Sequence, residues 1–126
     1  MENNEKDYIR VYIAGRLRGN WIQKRINIWR AKRIAKWLWK RGIAVFCPHA
    51  NSGYIDSKKT DEFVIRANID FMLSCDVILV FDKKWYNSKG TMKEITKAYS
   101  DQINLYFYKE DLLNDKLRGG IYIDCI

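Results

Sequence analysis

Residues 76–81, Asp-Val-Ile-Leu-Val-Phe, decide the fold. Val77–Phe81 is a continuous apolar, mostly β-branched run with no alternation of polar residues. A strand of that composition is covered on both faces, the usual state of a central strand in a parallel sheet. The neighbouring segments supply the cover. Residues 8–14 (YIRVYIA) read as a first strand, interrupted only by Arg10. Residues 21–41 have apolar side chains at 22, 26, 29, 31, 35 and 38 and read as a long helix, with Asn20 as N-cap and Gly42 as stop. Ile43–Pro48 reads as a second strand ended by the proline, and 49–59 as a polar loop. A second helix is expected over 61–73, with Phe63, Ile65, Ala67, Ile69 and Met72 as apolar members. A loop over 82–90, a helix over 91–100 and a strand at INLYFY (103–108) follow. A short helix (KEDLLNDKL) and an edge strand (GGIYIDCI) are expected to follow. This alternation predicts an α/β fold: one doubly wound, flavodoxin- or Rossmann-like parallel sheet with helices on both faces. One domain spans residues 1–126, with a polar lead-in at 1–7 and a divergent tail at 109–126.

Composition narrows the chemistry. The chain has 126 residues and a net charge of +8, and its charge is uneven. Tyr8–Ile55 holds 11 Lys or Arg and no acid, while the remainder is net −3. Such a block suits a phosphorylated small molecule, nucleic acid, an acidic surface, or simply a solvated helix. The single His excludes paired-His zinc sites, and neither metal nor cofactor is expected. Cys47, Cys75 and Cys125 lack C-x-x-C spacing, and an odd number argues against a disulfide framework. The polar opening (MENNEKD) does not read as a signal peptide, and no stretch is apolar for long enough to span a membrane. A cytoplasmic protein is the expectation.

In doubly wound folds, ligands bind beyond the C-terminal ends of the strands. Three loops meet there. The first, Gly15-Arg16-Leu17-Arg18-Gly19-Asn20, is neither G-x-G-x-x-G nor a P-loop. Its glycines permit close backbone approach, and Arg16 and Arg18 offer forks for a phosphate. The second contains His49, a ligand contact or an ordinary loop histidine. The third runs from Trp85 to Glu94. It contains Ser88 at the expected mouth of a site, Gly90 for a tight backbone, and Glu94 in the first turns of a helix. A carboxylate near a helix N-terminus is expected to stay ionised, as a nucleophile requires. Trp85 reads as a base-stacking surface or as loop packing. Asp70 lies late in the second helix, Asp76 introduces the third strand, where it can satisfy backbone amides, and Asp82 ends it. Several carboxylates without a metal motif point towards glycosidic chemistry, in which one attacks the anomeric carbon and another handles protons. Tyr12 and the tryptophans at 29, 37 and 39 read as packing or dimer contacts. Four tryptophans on the first long helix favour self-association over a phosphate rail, so nucleic acid is not the expected partner.

Taken together, these segments resemble the nucleoside 2-deoxyribosyltransferase superfamily. VYIAGRLRGN is similar to its first-strand Y-I-A-G-P motif, and to the G-S-I-R-G-G loop of deoxynucleoside 5'-monophosphate N-glycosidases. Gly42–His49 (G-x-x-V-F-C-P-H), FVIRANIDFMLSCDVILVF and KWYNSKGTMKEITKA resemble its later blocks, the last its G-W-x-x-S-x-G-x-x-x-E signature. The resemblance covers about residues 8–108. It implies an N-glycoside hydrolase or transferase acting on a 2'-deoxynucleoside or its 5'-monophosphate, with Glu94 forming a covalent deoxyribosyl-enzyme. Asp70 would protonate the leaving base or activate the acceptor. Ser88, Arg18, Gly15 and Gly19 would hold the 5'-phosphate. Tyr12 and Asp82 would serve the pocket wall and the sugar, and Trp85 matches a Trp that often precedes the serine. The implied biological unit is a homodimer or a higher even oligomer. Arg16 and Lys84 depart from the family pattern, and a catalytically silent nucleotide-binding module on the same fold is the alternative.

Overall fold

In the computed structural model, residues 8–15, 21–52, 61–82, 84–107 and 109–112 are described. Four strands, β1 (Arg10–Ala14), β2 (Ala44–Phe46), β3 (Val77–Val80) and β4 (Asn104–Tyr106), form one parallel sheet in the order β2-β1-β3-β4. The helices are α1 (Trp21–Trp39), α2 (Pro48–Ser52), α3 (Asp61–Leu73) and α4 (Lys89–Ser100), with a 3₁₀ turn at Trp85–Asn87. This is the α/β parallel sheet that the apolar run at 77–81 predicts.

Side-chain alternation along β1 divides the core in two, because successive residues of a strand point to opposite faces. Val11 and Ile13 pack with Ala31, Ala35 and Leu38 of α1 and with Val77 and Leu79 of β3. Tyr12 and Ala14 pack on the opposite face with Met72 of α3, Ala98 of α4, and Ile78 and Val80. All four residues of β3 are buried, as a doubly covered central strand must be. At the N-terminal edge of the sheet, Arg10 N–H donates to Asp76 Oδ2 at 2.8 Å and Asp76 N–H donates to the Arg10 carbonyl at 2.9 Å. Asp76 thus ties β3 to β1 away from the ligand end.

The stop at Gly42 is a paired C-cap. Gly42 N–H donates to Trp39 O and Ile43 N–H to Leu38 O, with Gly42 at φ 78°. That left-handed φ favours glycine, and the buried Leu38 and Ile43 supply the apolar contact that accompanies such caps. Helix α1 therefore ends at Trp39, two residues before the expected limit. The second strand is shorter than expected, and Pro48 opens α2 instead of closing a strand. Proline suits a first helical turn, and the Cys47 carbonyl accepts from Ala50 N–H and Asn51 N–H. The expected edge strand at GGIYIDCI and the helix beyond residue 112 lie outside the described residues, as does Asn20.

Candidate active site

The strand order reverses between β1 and β3, and the crevice above that point is where such sheets bind ligands. A cavity of about 400 Å³ opens there, on the α3–α4 side. Gly15 contributes the β1 end, His49 and Ser52 of α2 one wall, and Val64, Ile65 and Asn68 of α3 another. The floor and rim come from Asn87–Thr91, Lys93 and Glu94.

Glu94 is the centre of this arrangement. It projects from α4 to the top of β1, where the fully buried Tyr12 donates its hydroxyl proton to Glu94 Oε2. The residue keeps some solvent access through the cavity, yet burial around its carboxyl pushes the pKa up to about 7; the Tyr12 hydrogen bond opposes that shift. Burial and the adjoining carboxylate hold the Tyr12 phenol well above its ordinary value, so it remains a donor. The expected helix-dipole effect on Glu94 is not the controlling one. Helix α4 begins at Lys89, which puts Glu94 beyond the first turn, where the dipole has largely faded. Desolvation dominates, and the pair presents a carboxyl able to gain or lose a proton near neutrality.

Ser88 caps α4. Its Oγ accepts from Thr91 N–H at 3.2 Å and from the Thr91 hydroxyl at 3.0 Å. With both acceptor positions used, the serine has its own proton left to donate, which suits an anion at the rim. Ser88→Ala should cost about 1 kcal/mol of stability through the lost cap, read by urea unfolding.

Gly15 and Gly90 serve different ends. A Cβ on Gly15 would fall on the Phe81 ring, which is fixed between the edge of His49 at 5.3 Å and the Arg30 guanidinium at 5.3 Å. Only glycine fits that approach. At Gly90 a Cβ would meet Ile65 Cδ1 at an ordinary 3.8 Å, so no tight backbone demands glycine there. Its effect is to leave the first turn of α4 open to the cavity.

Of the residues singled out from the sequence, Glu94, Gly15, His49, Ser88 and Gly90 line the cavity, and Tyr12 supports it through Glu94. Arg16, Arg18 and Gly19 lie outside the described residues. Asp70 is exposed on α3 and is not part of the lining. Asp82 is buried, and its Oδ1 accepts from Lys84 N–H at 2.9 Å, shaping the turn into the 3₁₀ segment. Trp85 packs against the core and lies 5.8 Å from the rings of both Tyr86 and Phe107, which is loop packing and not a base platform. Asn68 and Ser52 are lining residues that sequence reasoning missed. The signal for Asn68 was helical spacing: 64, 65 and 68 share a face, whereas 70 lies about 200° round the helix from 68. Burial pushes the Cys47 thiol up, which makes it a poor nucleophile. Among the described residues, no cluster of His, Cys, Asp or Glu is arranged to hold a metal, and no helix is long and apolar enough to cross a membrane.

Comparison with known proteins places the architecture but not the chemistry. A family model described as a domain of unknown function (DUF7768) matches residues 9–108. A crystal structure of a conserved protein from Enterococcus faecalis V583 is similar over 78% of this chain and 61% of that one, at 19% identity and a TM-score of 0.52. The chain thus spans under two thirds of that relative, and the likeness supports the fold alone. No curated protein matches the sequence.

Proposed function

The chain belongs to the DUF7768 family, and from its site we propose that it cleaves the N-glycosidic bond of a 2'-deoxynucleoside or its 5'-monophosphate, by hydrolysis or by transfer to a second base. The observation that carries this reading is the Tyr12–Glu94 pair beneath a cavity of about 400 Å³. That volume lies within the range of small-molecule sites, roughly 300–1,000 Å³. Ionised Glu94 attacks C1' and forms a covalent deoxyribosyl-enzyme, which water or an acceptor base then resolves. Tyr12 holds the attacking carboxylate and lowers the fraction that is protonated. The Ser88 hydroxyl, the open first turn of α4, Gly15 and Lys89 would meet a 5'-phosphate at the rim, and the resemblance assigns the same task to Arg16, Arg18 and Gly19. The reaction needs no cofactor. The test is chromatography of free base after incubation with the four deoxynucleosides and their 5'-monophosphates. Base release above a protein-free control supports the reading, and none from any of the eight compounds sinks it.

One observation favours a second reading. Asn68, and not Asp70, reaches the cavity, so Glu94 is the single carboxylate among the described lining residues. A silent nucleotide-binding module would need no second carboxylate, and would show nucleotide affinity without free base. The exposed face of α1 suits a homodimer or a higher even oligomer in either case. Trp21 and Trp29 are 67% and 57% exposed, with Ile22 and Ile26 beside them. Cys47 carries a free thiol, which fits a reducing cytoplasm.

A further inference from the structure

The α2–α3 wall of the cavity is held by a short relay. The Ser52 hydroxyl donates to the Pro48 carbonyl at 3.2 Å, and Asn68 Nδ2 donates to Ser52 Oγ at 3.2 Å. Because the serine proton is committed to a carbonyl, its oxygen must accept, and Asn68 must turn its NH₂ towards it. The carboxamide orientation is thereby set, and Asn68 keeps further hydrogen-bonding capacity while lining the cavity with Glu94. A carboxamide can hydrogen-bond a departing group, but it has no proton to give up near neutrality. A carboxyl, in its protonated form, has one.

Resting on the N-glycosidase reading above, we propose that Asn68 fits the site to bases that depart without being protonated. The substrate class is a 2'-deoxynucleotide bearing a cationic, N-alkylated base, of which N7-methylguanine is the simplest purine. The step balances without an acid. A Glu94 carboxylate oxygen bonds to C1', the C1'–N9 bond breaks, and its electron pair stays on N9. That pair cancels the positive charge of the methylated ring, so the base leaves neutral. Water then attacks C1', the bond to Glu94 breaks with its pair returning to the carboxylate, and the water proton passes to solvent. An unmodified guanine would leave as an anion and would require a proton during bond cleavage. Asn68 supplies that base with a hydrogen bond only. The His49 imidazole, against the Phe81 ring on the α2 side, also lines the cavity, and the test includes proton delivery from it.

The full chain is given 2'-deoxyguanosine 5'-monophosphate and its N7-methyl derivative, and free base is quantified against the uncatalysed release of each in the same buffer. The methylated compound is intrinsically the more labile, so the diagnostic quantity is the ratio of the two enzymatic rates compared with the ratio of the two uncatalysed rates. The expected wild-type ratio is at least as large as the uncatalysed one. Asn68→Asp is expected to lower the ratio about 100-fold or more by accelerating the unmodified substrate, the scale on which a general acid acts. A wild-type ratio about 100-fold below the uncatalysed one would mean that a proton already reaches the base, from His49 or elsewhere, and would overturn the proposal without touching the N-glycosidase reading. That comparison needs no variant. A folded Asn68→Asp protein with an unchanged ratio would overturn it equally. No enzymatic release from either compound overturns the proposal, whereas the N-glycosidase reading is decided separately by the eight unmodified compounds.

Discussion

Glu94→Gln should abolish base release from every deoxynucleoside and deoxynucleotide that the wild-type protein cleaves, with a fall on the order of 10⁴-fold or more, as nucleophile removal does elsewhere. The exchange is close to isosteric. A glutamine oxygen can still accept from Tyr12, whose ring is buried between the sheet and the α3–α4 layer, so the packing is kept and the charge is lost. Retained nucleotide binding with lost release would separate the chemistry from the pocket. The variant also carries a stability signature. The folded-state pKa of Glu94 is raised to about 7, from an ordinary value of 4.5. Its neutral form is therefore the one favoured by folding. The associated stability is fully present below about pH 4.5 and is lost as pH rises to about 7, a loss of at most about 3 kcal/mol. Glu94→Gln removes that dependence, so its melting temperature relative to wild type should rise between those pH values. A variant with undiminished base release would remove Glu94 from the mechanism.

How far the sequence reveals this protein depends on the kind of signal. The apolar run at 77–81 and the helical periodicity over 61–73 are local signals, and they appear as β3 at Val77–Val80 and α3 at Asp61–Leu73. Alternation along β1 likewise separates Tyr12 and Ala14 from Val11 and Ile13, which places Tyr12 on the same face as α4. Helix α2 has no such signal. PHANS is short and polar, and what makes it helical is the proline at its start with the Cys47 carbonyl behind it. The site was partly legible for the same reason. Ser88 and Glu94 share one loop-helix junction, so their joint placement is local. The contact of Glu94 with Tyr12 bridges 82 residues of sequence and exists only after the sheet assembles. The role of Asp70 comes from the resemblance, which matches an aspartate late in the second helix. Helical phase instead turns that side chain to solvent and brings Asn68 to the cavity.

Burial of Glu94 sets a conflict that Tyr12 moderates, and Tyr12→Phe should expose it. The same desolvation that makes the carboxylate a stronger nucleophile also keeps it protonated at lower pH, so base release by the wild-type protein should rise through about pH 7 as Glu94 ionises. Tyr12 opposes the desolvation by donating to the charged form. Deleting the hydroxyl leaves the ring packed against Phe46, 5.8 Å away, but takes that donor from the carboxylate. The midpoint of the pH–rate profile should therefore move upward. A move of one unit would lower the ionised fraction at pH 7 from about one half to about one tenth, so the rate there should fall about 5-fold, with much of it recovered at higher pH. Stability should respond with the same asymmetry. A buried carboxylate left without its donor costs about 1–3 kcal/mol, and the cost is felt above the raised pKa, where the group is charged, more than below it. Urea unfolding at pH 5 and pH 9 tests this, since a purely steric defect would weaken the protein equally at both. If the rate profile keeps its midpoint and the loss of stability is the same at either pH, Tyr12 packs beside Glu94 without tuning it.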